Sequence, residues 1–141
     1  FSLPALQSTG IGLFQNSVVR ELYMPSLTTM GQGACSGCQG LEQIYVPLLR
    51  TVDMACFQNC KSLTSIELPC VEAYKQNMFS GCSSLSLIDA SGYRGTTVPT
   101  LASGAFTGLP SNWVIKVPAN LYSSWTSATN WSSLASHIVS A

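Results

Sequence analysis

The chain has 141 residues, of which only 9% are charged, and its six basic and six acidic side chains leave a formal net charge of zero. Such a balance excludes partners held by a strong field, such as nucleic acid or an anionic membrane surface. The 46% hydrophobic content suffices for the core of one domain over 1–141, but no apolar run is long enough to span a bilayer. There is no starting methionine and no signal-like segment, so a chain that begins inside a repeat is expected to be a piece of a longer protein.

Taken in order, the residues spell one motif several times. Phe1-Ser2-Leu3-Pro4 reads as the tail of a truncated turn. A first full turn follows as Phe14-Gln15-Asn16-Ser17, Val19, Leu22, Met24, Pro25 and Leu27, with one residue deleted. The next is Cys35-Ser36-Gly37-Cys38, Leu41, Ile44, Val46, Pro47, Leu49 and Val52. Then come Phe57-Gln58-Asn59-Cys60, Leu63, Ile66, Leu68, Pro69, Val71 and Tyr74, and after them Phe79-Ser80-Gly81-Cys82, Leu85, Ile88 and Ala90. Cys38, Cys60 and Cys82 recur every 22 residues, as do Ile44, Ile66 and Ile88, and Pro25, Pro47 and Pro69. A last, irregular turn carries Val98-Pro99, Leu101, Ala105-Phe106-Thr107-Gly108, Ile115, Val117 and Pro118. Pro99 lies 30 residues after Pro69, so about eight residues, around Gly92 to Thr97, are expected to bulge out.

A fixed apolar skeleton at this period marks a repeat solenoid, mixed β with little helix, in which each turn buries its face against its neighbours. Ile66 and Leu68 alternate with Ser65 and Glu67 as in a half-buried strand. The proline that follows cannot donate to a ladder and ends the strand. Asn-Cys and Gly-Cys suit a tight corner, because Asn and Gly tolerate left-handed backbone angles. Leu49, Val52, Val71 and Tyr74 supply a second apolar run on another side of the coil. Turns stacked about 4.8 Å apart make a short rod of about five turns and about 24 Å, whose ends need covers.

The turns occupy 1–112, and 113–141 reads as the last strand and a C-terminal helical cap. Leu121, Tyr122, Trp125 and Ala128 recur at helical spacing, Asn130-Trp131 breaks the run, and Leu134, Ile138 and Val139 are expected to form a second short helix. Trp113, Trp125 and Trp131 suit the cover of an open core end, with a ligand-stacking platform as the alternative.

The turns beginning at Phe57 and Phe79 resemble the BspA-like, or Treponema-type, leucine-rich repeat, whose pattern is Ala-Phe, two small residues, Cys, then Leu-x-x-Ile-x-Leu-Pro. The C-terminal run Val114-Ile115-Lys116-Val117-Pro118 with Tyr122, Trp125, Trp131 and Ile138 resembles the end module that often follows such repeats. Departures are Cys35 for Phe, Ser17 for Cys, and the stretch Ser91 to Thr97, which leaves room for a functional loop. The resemblance implies a bacterial cell-surface or secreted setting and binding of host or matrix proteins.

Six cysteines invite a metal or redox reading, with Cys35 and Cys38 as a CxxC pair and Cys56 four residues before Cys60. Cys38, Cys60 and Cys82 are already explained by the repeat as small buried groups that pack inward and bond the backbone. The expectation is free thiols and no metal, with a disulfide involving Cys35, Cys56 or Cys70 as the alternative. The one histidine, His137, has no acid near it in sequence, the acids are dispersed, and Gly31-Gln32-Gly33 lacks the rest of a phosphate fingerprint. Neither a catalytic constellation nor a cofactor motif is visible, and Asn130-Trp131-Ser132 is an incidental glycosylation sequon.

The surface remains. Alternation places Glu21 and Tyr23, Gln43 and Tyr45, Ser65 and Glu67, Leu87 and Asp89, and Val114 and Lys116 outward in two columns. Candidate binding residues are Tyr23, Tyr45, Glu21, Gln43, Glu67 and Asp89. Ladder packing alone also accounts for a tyrosine pair in adjacent strands. The face through Thr29, Arg50, Thr51 and Glu72 shows no comparable pattern. The expected function is a non-catalytic recognition or adhesion module for a protein or glycan. The alternative is a structural spacer in an assembly such as a phage tail or surface layer.

Overall fold

Strands form where outward polar and inward apolar residues alternate. In the computed structural model, which describes residues 1–141, they are in chain order β1 (Ser8–Thr9), β2 (Glu21–Tyr23), β3 (Thr29–Met30), β4 (Gln43–Tyr45), β5 (Thr51–Val52) and β6 (Ser65–Glu67). They continue as β7 (Ala73–Tyr74), β8 (Leu87–Asp89), β9 (Thr100–Leu101), β10 (Val114–Val117) and β11 (Ile138–Ser140). All paired strands run parallel, as one-handed coiling demands. One side of the coil carries β2–β4 and β6–β8–β10–β11, the other β1–β3–β5 and β7–β9. Ser2 bridges Tyr23, so the first residues do lie one turn before β2.

The register equals the sequence period where Leu22 pairs Ile44 and Ile66 pairs Ile88, and it lengthens to 27 residues where Ile88 pairs Ile115 across the Ser91 to Thr97 insertion. Inward residues therefore stack in columns, and Leu22, Ile66, Ile88 and Ile115 are all buried. On the second side Leu49, Val52, Val71 and Tyr74 are buried too, as their spacing predicts. Phe57 stacks on Phe79 at 5.3 Å between ring centroids, and Phe79 on Phe106 at 6.2 Å.

Corners hold the turns at fixed separation. Asn16, Gly37, Asn59 and Gly81 all adopt left-handed φ angles, at 56°, 74°, 60° and 77°. A Cβ on Gly81 would fall onto the Oδ1 of Asn59 one turn back, so glycine is demanded there by space as well as by angle. A second left-handed column runs through Gly12, Gly33, Ala55, Asn77 and Gly104. Its residue types are too varied for the sequence to reveal it. Backbone N–H groups at the corner donate to the next turn without interruption, from Gly12 N–H to Gln32 C=O through Gly37 to Gln58 and Asn59 to Ser80, up to Gly81 N–H to Thr107 C=O.

Ser91 to Thr97 breaks the period where the spacing of Pro69 and Pro99 predicts. The register of Tyr74 with Leu101 and of Ile88 with Ile115, 27 residues each, nevertheless makes the insertion five residues (27 − 22) and not about eight. Tyr93 is buried, donates its hydroxyl to the Thr97 carbonyl at 2.9 Å and sets its ring edge-on to Trp125, while Arg94 to Thr97 are exposed.

The C-terminal segment differs from expectation. A 3-10 turn at Ala119–Leu121 runs into α1 (Tyr122–Ser127), where Leu121 and Trp125 are buried and Tyr122 faces outward. The second helix does not include Ile138 and Val139. Ser132–His137 is a 3-10 stretch, and Ile138–Ser140 is β11, pairing Ile115 with Ile138. Two β-branched residues beside the free edge of β10 gain a ladder partner there that a helix would not provide. Trp113, Trp125 and Trp131 are all buried, and Trp131 Nε1 donates to the Pro99 carbonyl at 2.7 Å.

Ala55 sits at φ 57° in a column where glycine is the usual occupant. Left-handed backbone costs a β-carbon-bearing residue about 1 kcal/mol or more, and the added freedom of an unfolded glycine offsets about half of that. Ala55→Gly is expected to raise stability by about 0.5 kcal/mol, read as a higher urea midpoint at unchanged slope. A lower midpoint would contradict the strain at this corner.

Candidate binding groove on the strand face

The two outward columns are present as the alternation predicts. Glu21 pairs Gln43 and Tyr23 pairs Tyr45 across β2 and β4, while Ser65 pairs Leu87 and Glu67 pairs Asp89 across β6 and β8. Tyr23 and Tyr45 stack at 4.9 Å between centroids with their rings only 5° from parallel, and each is nearly half exposed, at 48% and 46%. A groove of about 960 Å³ runs past them, lined by Glu21, Tyr23, Gln43, Tyr45 and Glu67. Of the six expected residues, Asp89 alone lies outside this groove. Its Oδ1 is taken locally, by Ser91 N–H at 3.0 Å and Ser91 Oγ at 2.6 Å.

The groove is deeper than the sequence suggests because the strand ladder opens. β4 and β6 are consecutive on this side but belong to different hydrogen-bonded sheets. Met24 N–H donates to Tyr45 C=O at 3.0 Å and Leu68 N–H to Asp89 C=O at 2.9 Å, yet Val46 N–H makes no such bond to Glu67. Likewise the carbonyls of Arg20 and Thr64 accept from the turn that follows each, whereas that of Glu42 accepts nothing. Ile44, whose equivalents are buried, is only partly buried and lines the groove with Val46 and Ile66.

Lys61, Ser62 and Thr64 complete one end. Beside that end Arg20 pairs with Glu42 at 2.7 Å, and this hydrogen bond and charge raise the guanidinium pKa further. Sequence reasoning missed Ile44, Glu42 and Lys61 because none of them breaks the repeat. Their exposure comes from the opening between two turns.

The cysteines behave as the repeat implies. All six are free, and five are buried, with Cys70 half-buried. Each of the ladder thiols donates to a carbonyl on the preceding turn: Cys38 to Phe14 at 2.9 Å, Cys60 to Cys35 at 3.2 Å and Cys82 to Phe57 at 2.9 Å. Cys56 reaches the Gly31 carbonyl at 3.0 Å and Cys70 that of Pro47 at 3.4 Å. Contact with Cys38, then burial, hold the Cys35 thiol well above its ordinary range, and the same contact draws Cys38 down to about 7. Contact with Cys82, then burial, raise Cys60, and burial lifts Cys56 from 9.0 to about 11. His137 stacks on Trp113 at 4.4 Å with Nδ1 2.7 Å from the Trp113 carbonyl, a packing role at the chain's end.

The model of the BspA-type leucine-rich-repeat region matches residues 7–134 in six copies. The chain belongs to the BspA-type leucine-rich-repeat family. Among solved structures it is similar to the leucine-rich-repeat protein of T. pallidum, with a TM-score of 0.70, 23% identity and coverage of 84% of this chain and 58% of that one. A leucine-rich cell-surface protein from Faecalibacterium prausnitzii matches at a TM-score of 0.49 and 18% identity, covering 84% of this chain and 48% of that one. The chain thus spans about half the length of the solved structures it matches. No curated protein matches it. No helix is long and apolar enough to cross a membrane.

Two outcomes follow from the thiol geometry. Titration of the native protein is expected to find one readily reacting thiol, the half-buried Cys70, and six after unfolding. Four or fewer after unfolding would show that a disulfide exists. Because Cys56 ionises near 9.0 when unfolded but near 11 when folded, only the unfolded chain loses that proton in between. Stability is therefore expected to fall as pH rises from 9.0 to about 11, with Cys35 and Cys60 acting in the same direction. The urea midpoint measured across that interval checks the sign.

Proposed function

We propose that this chain is a non-catalytic recognition module that binds a protein or glycan through the outward face of β2, β4 and β6. The observation that carries this reading is the exposed, face-to-face pair Tyr23 and Tyr45 beside a polar groove. Two aromatic bodies held rigid by strand register present contact area at little loss of conformational freedom, and tyrosine is enriched at interfaces. Carboxylates, an amide and hydroxyls border the pair, which gives the face directional hydrogen-bonding capacity. Family membership supports a bacterial cell-surface or secreted setting, and the segment from Trp113 onward serves in this reading as the last strand and end cover.

Replacing both Tyr23 and Tyr45 by serine tests the face. The substitutions remove one cross-strand aromatic pair, a loss of about 1 kcal/mol, and are expected to leave the fold intact. Binding to a panel of host glycoproteins, measured by surface plasmon resonance, is expected to weaken about tenfold or more, the effect of losing a tyrosine anchor. Unchanged affinity with retained folding rules this face out.

A further inference from the structure

The opening between β4 and β6 lies beside one position in the tyrosine column. Along that column Tyr23 covers one face of Tyr45, and Glu67 is the next residue on the other side. The two strands flanking this step are the ones that do not pair, so the Tyr45 face toward Glu67 is not closed by a ladder neighbour as its other face is. Two of the four exposed glutamates are paired with arginines one turn away, Glu42 with Arg20 at 2.7 Å and Glu72 with Arg50 at 3.4 Å, whereas Glu21 and Glu67 are not. Glu67 is exposed and has no such partner, because its equivalent one turn back is Tyr45. The nearest lining cation, Lys61, enters the groove before β6, at the opposite end of the strand from Glu67.

From these placements we propose that the groove receives a basic peptide, with one arginine side chain seated between the Tyr45 ring and the Glu67 carboxylate. A guanidinium is planar, carries donors only, stacks on an aromatic face and binds a carboxylate through two parallel hydrogen bonds. It therefore matches an open ring face with a carboxylate at its margin, where the flat cation stacks on the ring and turns its N–H edge to the carboxylate. The peptide backbone suits the rest of the opening. The carbonyls of Glu42 and Glu67, both on exposed residues, are left without partners on the facing strand, and a peptide N–H can donate to them. A glycan would use the hydroxyl-bonding groups but would gain nothing specific from the negative charge.

This proposal rests on the recognition reading above and narrows it to one ligand chemistry. The probes are the peptide acetyl-Gly-Gly-Arg-Gly-Gly-amide and its citrulline twin, which has the same shape without the charge. Binding is followed by NMR shifts of backbone amides. The arginine peptide is expected to shift Tyr45, Val46 and Glu67 selectively, and the citrulline twin to bind about tenfold more weakly, as loss of a charge-assisted hydrogen bond implies. Glu67→Gln, an exposed change with no internal bond to break, is expected to weaken the arginine peptide to the level of the citrulline twin. Equal binding of the two peptides, an unaltered affinity in E67Q, or shifts confined to other turns each overturn the arginine slot. If E67Q has no effect while the double tyrosine variant still loses glycoprotein binding, the recognition face stands and its ligand is neutral, a glycan. If neither variant changes any binding, both readings fall together.

Discussion

The corner ladder is the constraint on which the remaining structure depends. Backbone N–H groups from Gly12 to Gly81 donate, turn by turn, to the carbonyl of the following turn, and the thiols of Cys38, Cys60 and Cys82 add a bond to the preceding one. Every turn is thereby clamped to both neighbours along one edge of the coil. Phe57, Phe79 and Phe106 stack immediately behind that edge and exclude water from it. A buried thiol is small enough to sit inside the corner and still supplies a weak donor, which a larger apolar residue could not. This explains why cysteine recurs with the repeat and why its presence says nothing about metal or redox chemistry.

A clamp at the corner leaves the strand sides of the coil free to open. Between β4 and β6 the strand ladder lapses, as it does between β5 and β7 on the other side, while the corner bonds Gly33 to Met54, Cys35 to Cys56 and Gly37 to Gln58 continue. The turns are held, yet their outward face parts enough to expose Ile44 and deepen the groove. The proposed binding face thus lies where stacking is least complete, above a core that stays intact. Stacked tyrosines on one lip and a carboxylate on the other give that gap a chemical polarity that the rest of the sheet lacks.

The C-terminal end shows the same logic in reverse. The last turn leaves β10 with an unpaired edge and the aromatic column without a cover. Ile138–Ser140 returns to pair that edge, and Trp125 and Trp131 close over Tyr93, Tyr74 and Phe106. Tyr93 is what ties the Ser91 to Thr97 insertion into this arrangement. The insertion is therefore anchored in part by packing on Trp125, and only Arg94 to Thr97 project from it.

Much of this was legible in the residues because a solenoid is a local code. The period placed the strands, their register, the left-handed corners at Asn16, Gly37, Asn59 and Gly81, the buried thiols and the tyrosine column, since each depends only on a residue and its equivalent one turn away. Three features were not legible. The left-handed column through Ala55 is carried by geometry imposed from adjacent turns, and alanine does not announce it. Ile138 and Val139 took a strand because the free edge of β10 was beside them, a neighbour distant in sequence. The opening between β4 and β6 depends on how the turns separate away from their clamped edge, and a pattern that repeats identically in every turn carries no signal for where that separation occurs. Sequence alone determined what each turn is made of and which side chains face outward. Tertiary structure alone decided which two turns part, because that is a property of the stack and of no single repeat.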